Sequence, residues 1–187
     1  MTIEQLAITV IKACEKNNVD HMLTDAFAFN YYGVPRATKD VDIVVDVTGS
    51  KGIKNLIMDL QPEIHFNGQV QFDTLTWGRR HIGTPAADTT LQIELFELFD
   101  DHFVQSQFHR KKRLILPQLE IPSWIPTPED MIVQKLRWGR PKDLDDARDV
   151  LAIEGPENLD MPYIENWCAI HQTASRLSDT LARIPPL

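Results

Sequence analysis

The chain has 187 residues, 43% of them hydrophobic and 25% charged, with a formal net charge of −8. That is the profile of one ordinary globular domain, or of one domain carrying a helical extension, and it excludes a disordered or membrane-embedded chain. The acidic balance argues against a protein that coats nucleic acid, which needs a broad basic surface. Basic clusters at Arg79-Arg80, Arg110 to Arg113 and Lys135 to Lys142 are either local grooves or solvated faces.

The chain opens with a helix. Thr2 and Gln5 have capping-box spacing, and Ile3, Leu6, Ala7, Val10, Ile11 and Cys14 form one apolar stripe that stops at Asn17-Asn18. "DHMLT" reads as a short strand, Ala26 to Tyr32 as a short helix with Thr24 or Asp25 as its N-cap and Gly33 at its end, and "VPRAT" as a loop. "DVDIVVDV" is a strand covered on both sides, and a helix from Lys51 to Leu60 follows Gly49-Ser50. Two β segments, Val70 to Leu75 and Trp77 to Thr84, precede a strong strand at Thr90 to Leu98. In that strand Leu91, Ile93 and Leu95 alternate with Gln92, Glu94 and Phe96, which leaves one polar face. A helix at His102 to Gln107 and a strand near Arg113 to Leu116 lead to the proline-rich "LPQLEIPSWIPTPED". Beyond it Thr127 caps and Pro128 opens a helix to Trp138, and further helices cover Leu144 to Ile153, Tyr163 to Ile170 and Ser175 to Arg183. The expectation is an α/β core over residues 1–122 with a mixed sheet, and a C-terminal helical extension over 123–187 packed on it.

No apolar run approaches the roughly 20 residues of a membrane span. The acidic start lacks the basic region of a signal peptide, so a cytoplasmic protein is expected. Cys14 and Cys168 lie far apart in amphipathic helical patterns and read as buried, reduced thiols. His21, His65, His81, His102, His109 and His171 show no zinc-hydrolase spacing and read as surface or packing residues. The four tryptophans read as packing anchors, with Trp77 beside Arg79-Arg80 also placed to line an acceptor cleft.

The chemistry concentrates in carboxylates. Asp40 and Asp42 are two apart at the start of a strand, so both side chains leave the same face. Magnesium needs only one or two protein carboxylates when water and substrate phosphates complete its shell. Glu94, on the polar face of another strand, supplies a third carboxylate, and three carboxylates on adjacent strands suit a two-metal mechanism.

The segment "MLTDAFAFNYYGVPRATKDVDIVVD" resembles the opening of the DNA polymerase β-like nucleotidyltransferase superfamily. Within it, the likeness is to small bacterial abortive-infection toxin-type nucleotidyltransferases and aminoglycoside adenylyltransferases. Tyr32-Gly33, Pro35-Arg36, Thr38, Asp40 and Asp42 stand in the family pattern, and Glu94 takes the place of its third carboxylate. Downstream, "PEDMIVQKLRWGRPKDLDDARDVL" resembles the helical signature of the same group, so the resemblance spans residues 1–153. It implies a nucleotidyltransferase fold and transfer of a nucleoside monophosphate from an NTP to an acceptor hydroxyl, with two Mg²⁺ ions at Asp40, Asp42 and Glu94. It also implies nucleotide contacts from Thr24, Asp25, Ala26, Arg36, Thr38 and Lys135, with an acceptor that is a small molecule, a protein or an RNA end. One position departs from the pattern. The family's Gly-Gly or Gly-Ser pair is Asp25-Ala26 here, where a carboxylate would cap the helix N-terminus and repel an incoming phosphate. The alternative is therefore a catalytically impaired member acting as a binding or regulatory partner of toxin/antitoxin type.

Overall fold

The structure is a computed structural model that describes residues 1–47, 52–73 and 78–184. Helix α1 (Ile3–Lys16) starts at the expected capping box: Thr2 Oγ1 accepts from the Gln5 N–H at 3.2 Å, and the Gln5 side chain accepts from the Thr2 N–H at 2.9 Å. Then follow β1 (Asp20–Leu23), α2 (Asp25–Tyr32), β2 (Asp40–Asp46), α3 (Ile53–Leu60), β3 (Ile64–Phe66), β4 (Gln71–Asp73), β5 (Gly78–Pro85) and β6 (Gln92–Glu97). After β6 come α4 (His102–Arg110), β7 (Lys112–Ile115), β8 (Pro122–Ile125), α5 (Pro128–Trp138), α6 (Pro141–Glu154), α7 (Met161–Ile170) and α8 (Ala174–Ala182).

The main sheet runs β1-β2-β6-β5-β3, with β4 also paired to β5, and β7 with β8 makes a separate two-stranded ribbon. β2 and β6 pair in parallel and their neighbours pair antiparallel, so the sheet is mixed. One face of β2 and β6 is sealed: Val41, Ile43, Val45, Ile93 and Leu95 are all fully buried. The opposite face, carrying Asp42, Val44, Gln92 and Glu94, is half-buried. β2 is therefore closed on one side and half open on the other, where a fully apolar run predicts closure on both.

Two strands stand where the sequence reading expected none, and two expected segments run into residues outside the described ones. β3 buries only Ile64 and Phe66 around an exposed His65, too short a pattern to stand out. The segment expected at Val70 to Leu75 is Gln71–Asp73, and the helix expected from Lys51 is described from Ile53; residues 48–51 and 74–77, among them Gly49, Ser50 and Trp77, lie outside the described residues. β8 sits inside the proline-rich stretch because Pro122 takes the first strand position, where a missing N–H is tolerated, while Ser123 and Ile125 point inward.

The chain divides into two compact units, residues 1–27 with 37–125, and residues 28–36 with 126–187. The division falls after Ile125 instead of after residue 122, and it assigns most of α2 and the following loop to the helical unit. In the first unit α1 lays its apolar stripe, Leu6, Val10, Ile11 and Cys14, against β1, β2 and α3. In the second, α5 packs on α6 and α7, and α8 on α6 and α7. Thr127 caps α5 with Pro128 at its first position, and Gly139 ends it in the left-handed region at φ 68°, where a β-carbon is disfavoured. Arg176 then donates to the Leu136 carbonyl at 2.7 Å, satisfying one of the carbonyls that a helix end leaves open. Gly33 has a different reason: a β-carbon there would lie 2.5 Å from the Phe29 ring. The two cysteines are free and buried, and burial pushes the Cys14 thiol up to about 12. Among the described residues no helix is long and apolar enough to cross a membrane.

Candidate functional site

The carboxylates meet at one end of the parallel β2/β6 pair. Their register sets Asp40 opposite Gln92 and Asp42 opposite Glu94. Since alternate residues share a face, Asp40, Asp42, Gln92 and Glu94 stand together on the half-open side of the sheet. Asp40 is exposed and Asp42 half-buried. Thr38 fixes the start of β2, its hydroxyl accepting from the Asp40 N–H and donating to the Asp40 carbonyl, both at 3.2 Å. The Gln92 N–H donates to the Lys39 carbonyl at 2.9 Å, which holds the starts of the two strands side by side.

The beginning of α2 is tied to the same place. The Thr24 N–H donates to the Asp42 carbonyl at 2.9 Å, so the segment Thr24-Asp25-Ala26 begins beside the second aspartate. Asp25 has a φ of 43°, in the left-handed region that glycine adopts freely and other residues adopt at a cost. Aspartate is among the few side chains that tolerate it. The geometry gives a physical reason for glycine at this position: the chain must turn sharply from β1 into α2.

Glu94 is held from two directions. Arg80, on β5, donates through Nη1 to Glu94 Oε2 at 2.7 Å, and the Gln92 side-chain amide donates to Oε1 at 2.7 Å. Burial pushes the Glu94 carboxyl above the usual range; Arg80 opposes by charge and hydrogen bond, the negative charge of Asp40 adds to the rise, and Gln92 opposes it. The net direction is upward. The sequence placed Arg80 in a basic pair and Gln92 on the polar face of its strand, but assigned neither to Glu94. Gln92 was legible from the two-residue period, whereas Arg80 depends on the antiparallel register of β5 and β6, which sequence does not display. Among the described residues no group of three or more His, Cys, Asp or Glu side chains is arranged to hold a metal ion as it stands.

Arg36 and Lys135 belong to the helical unit and are engaged there. Arg36 has its backbone fixed by the Asn30 side chain at 2.9 and 2.8 Å, stacks 5.4 Å from the Phe29 ring centre and reaches Asp146 at 3.3 Å. Lys135 is not a solvated helix residue: it is 1% exposed, with its ammonium 2.9 Å from Asp146 and 3.6 Å from Asp143. Arg140 closes the group with a fork onto Asp143 at 2.6 and 3.0 Å. The basic cluster of the first unit is likewise paired, Lys111 with Asp20 at 2.9 Å and Arg113 with Glu15 at 3.5 Å.

No family model and no curated protein matches the chain. Solved structures do. The antibiotic-resistance factor ANT(2'')-Ia in solution, reported for substrate-regulated conformation dynamics, matches with a TM-score of 0.61 at 10% identity, covering 94% of each chain. Its crystal structure in complex with adenylyl-2''-tobramycin matches with a TM-score of 0.63 at 11% identity, over 94% of this chain and 99% of that one. An antigenic nucleotidyltransferase-like protein from Paracoccidioides brasiliensis matches with a TM-score of 0.50 at 19% identity, over 97% and 94% of the two chains. Identities this low speak to architecture alone, and with the mixed sheet and the carboxylate-bearing strand pair they give one conclusion: this chain has the nucleotidyltransferase fold.

Proposed function

We propose that this protein transfers a nucleoside monophosphate from an NTP to an acceptor hydroxyl. The observation that supports it most directly is the in-register placement of Asp42 against Glu94 with Asp40 on the same face, beside the start of α2, on a nucleotidyltransferase fold. The donor set fits Mg²⁺ in part. Asp40 and Asp42 provide the one or two carboxylates that this cation takes from protein when phosphates and water supply the rest. Glu94 is a hard oxygen donor one strand away, engaged by Arg80 and Gln92. Mg²⁺, as one ion or two, would supply charge neutralisation for the triphosphate and polarise the acceptor hydroxyl.

The chain's own residues then have definite tasks. Asp40 and Asp42 would hold the cation, with Thr38 fixing the start of the strand that presents them. Glu94 would receive the proton of the acceptor hydroxyl as that oxygen forms its bond to the α-phosphorus and the bond to pyrophosphate breaks. The start of α2 at Asp25-Ala26 would face the phosphates, since a helix start is the favoured place for an anion, and the Thr24 N–H on the Asp42 carbonyl holds that start beside the carboxylates. The acceptor is a small molecule, a protein or an RNA end; adenylyl-2''-tobramycin in the ANT(2'')-Ia complex favours testing small polyhydroxy compounds first. A second reading, a binding or regulatory partner of toxin/antitoxin type with impaired transfer, is favoured by Asp25, a carboxylate where the phosphates would come.

Calorimetry of Mg²⁺-dependent NTP binding, with labelled-NTP transfer to mixed acceptors, separates the two. The transferase reading expects binding and transfer that Asp40→Ala abolishes. Transfer unaffected by Asp40→Ala would refute it, and binding without transfer to any acceptor would favour the second reading.

A further inference from the structure

Glu94 is engaged before any ligand arrives. Gln71 on β4 stands opposite Arg80 on β5, Glu94 on β6 stands opposite Asp42 on β2, and Arg80 reaches Glu94 diagonally across β5 and β6 from its place opposite Phe96. The Arg80 fork joins these two pairs, Nη1 on Glu94 Oε2 at 2.7 Å and Nη2 on Gln71 Oε1 at 3.3 Å. The pair is largely shielded, with Arg80 27% and Glu94 13% exposed, so solvent does little to weaken it. A guanidinium on a carboxylate is a strong, directional contact, and it takes the same oxygen lone pairs that a hard cation would need. With Gln92 on the other oxygen, both Glu94 oxygens are in use.

We propose that Arg80 is a positioning residue for Glu94: it serves as the resident counter-cation of the carboxylate face, and it must release Glu94 before that carboxylate can join Asp40 and Asp42 around a divalent cation. Gln71 gives the released guanidinium a hydrogen-bond acceptor it already contacts. The proposal rests on the metal-binding part of the transferase reading, and its test uses metal alone.

The experiment is Mn²⁺ binding to the full chain without nucleotide, followed by calorimetry and by loss of the free Mn²⁺ electron paramagnetic resonance signal. Arg80→Gln should bind Mn²⁺ more tightly by about tenfold, the scale of one charge-assisted contact that no longer competes. That gain should vanish when Glu94→Gln is added. A merely structural role for Arg80 would lower or leave unchanged the Mn²⁺ affinity, and either result overturns the proposal. So does a gain that survives Glu94→Gln. If Arg80→Gln does not fold, Arg80→Lys takes its place: a single ammonium cannot bridge Gln71 and Glu94 as the fork does, and a gain of about threefold is expected. Lack of any gain in Arg80→Lys overturns the idea equally. Asp40→Asn keeps the two questions apart: undiminished Mn²⁺ binding in that variant refutes the metal assignment itself, whatever Arg80 does.

Discussion

Lys135→Met removes an ammonium that is 1% exposed and replaces it with an apolar side chain of similar length. Breaking a buried ion pair from one side generally costs about 3–5 kcal/mol, because a buried charge is left uncompensated. Here the remaining carboxylates each keep a second cation: Asp143 the Arg140 fork at 2.6 and 3.0 Å, and Asp146 the Arg36 guanidinium at 3.3 Å. The loss should therefore sit below that range, about 2–3 kcal/mol, made up of one short contact to Asp146 and the 5.1 Å approach to the Trp138 ring. For a chain of this length that corresponds to a fall in Tm of about 5–10 °C. Thermal and urea unfolding of the wild type, Lys135→Met, Asp146→Leu and the double variant form the assay. The two single changes should be sub-additive, since the double variant buries no unpaired partner from this contact. A Tm within 1 °C of wild type for Lys135→Met, or strict additivity, would refute the reasoning.

Gly83→Ala should destabilise by about 2–3 kcal/mol, since its β-carbon would lie 2.7 to 2.9 Å from Ile64, Ile93 and Phe66 in a packed layer; urea unfolding reads this directly, and an unchanged midpoint contradicts it. His21 is 4% exposed, and burial lowers its pKa below the ordinary 6.5; Glu15, Asp20 and the Val19 carbonyl oppose that fall, while Lys111 adds to it. Because the folded value is depressed, the unfolded chain takes up the proton first, so the His21 contribution is complete above about pH 6.5 and shrinks as pH falls below it. The Tm difference between wild type and His21→Phe should narrow between pH 7 and pH 5.5, and a difference that widens on acidification has the wrong sign. Asp25→Gly should change Tm by less than about 2 °C, because relief of the φ of 43° offsets the greater freedom of glycine in the unfolded chain. The same variant should bind Mg·NTP at least tenfold more tightly, given about 4 kcal/mol of unscreened repulsion between charges ~4 Å apart at a dielectric near 20. Equal affinity would show that Asp25 does not face the phosphates.

Much of the secondary structure was legible because its signals are local. The Thr2 and Gln5 cap, the alternation of Gln92, Glu94 and Phe96 against Ile93 and Leu95, and the Thr127-Pro128 helix start each depend on neighbours within a few residues. What sequence did not display is set by partners far along the chain. Arg80 meets Glu94 through strand register, and Lys135 is buried because Asp143 and Asp146 come from the next helix. Lys135 also shows the limit of residue-type expectations, since lysine belongs at a helix surface unless paired charges draw it inward. β8 was hidden for the opposite reason, its proline suggesting a break where an edge position made it harmless.

Asp25 and Arg80 departed from expectation separately, yet in the proposed reading they do the same thing with opposite signs. Asp25 puts a carboxylate where phosphates would sit at the start of α2, and Arg80 puts a guanidinium on a carboxylate that a divalent cation would use. In a ligand-free site of this kind Arg80 offsets one carboxylate, Glu94, while Asp25 adds to the negative charge of Asp40 and Asp42. NTP alone must overcome Asp25 without a cation, and a cation alone must displace Arg80 without phosphate to complete its shell. The metal–nucleotide complex meets both at once, since its cation offsets Asp25 and its phosphate oxygens offer Arg80 a new acceptor. Coupling of that sort is reciprocal: whatever factor Mg²⁺ adds to NTP affinity, NTP must add to Mg²⁺ affinity. Direct Mg²⁺–phosphate contact couples the two in any such site, so the contribution of these residues is the difference: with Gly in place of Asp25 and no arginine on Glu94, the mutual dependence of Mg²⁺ and NTP should be weaker than in the wild type.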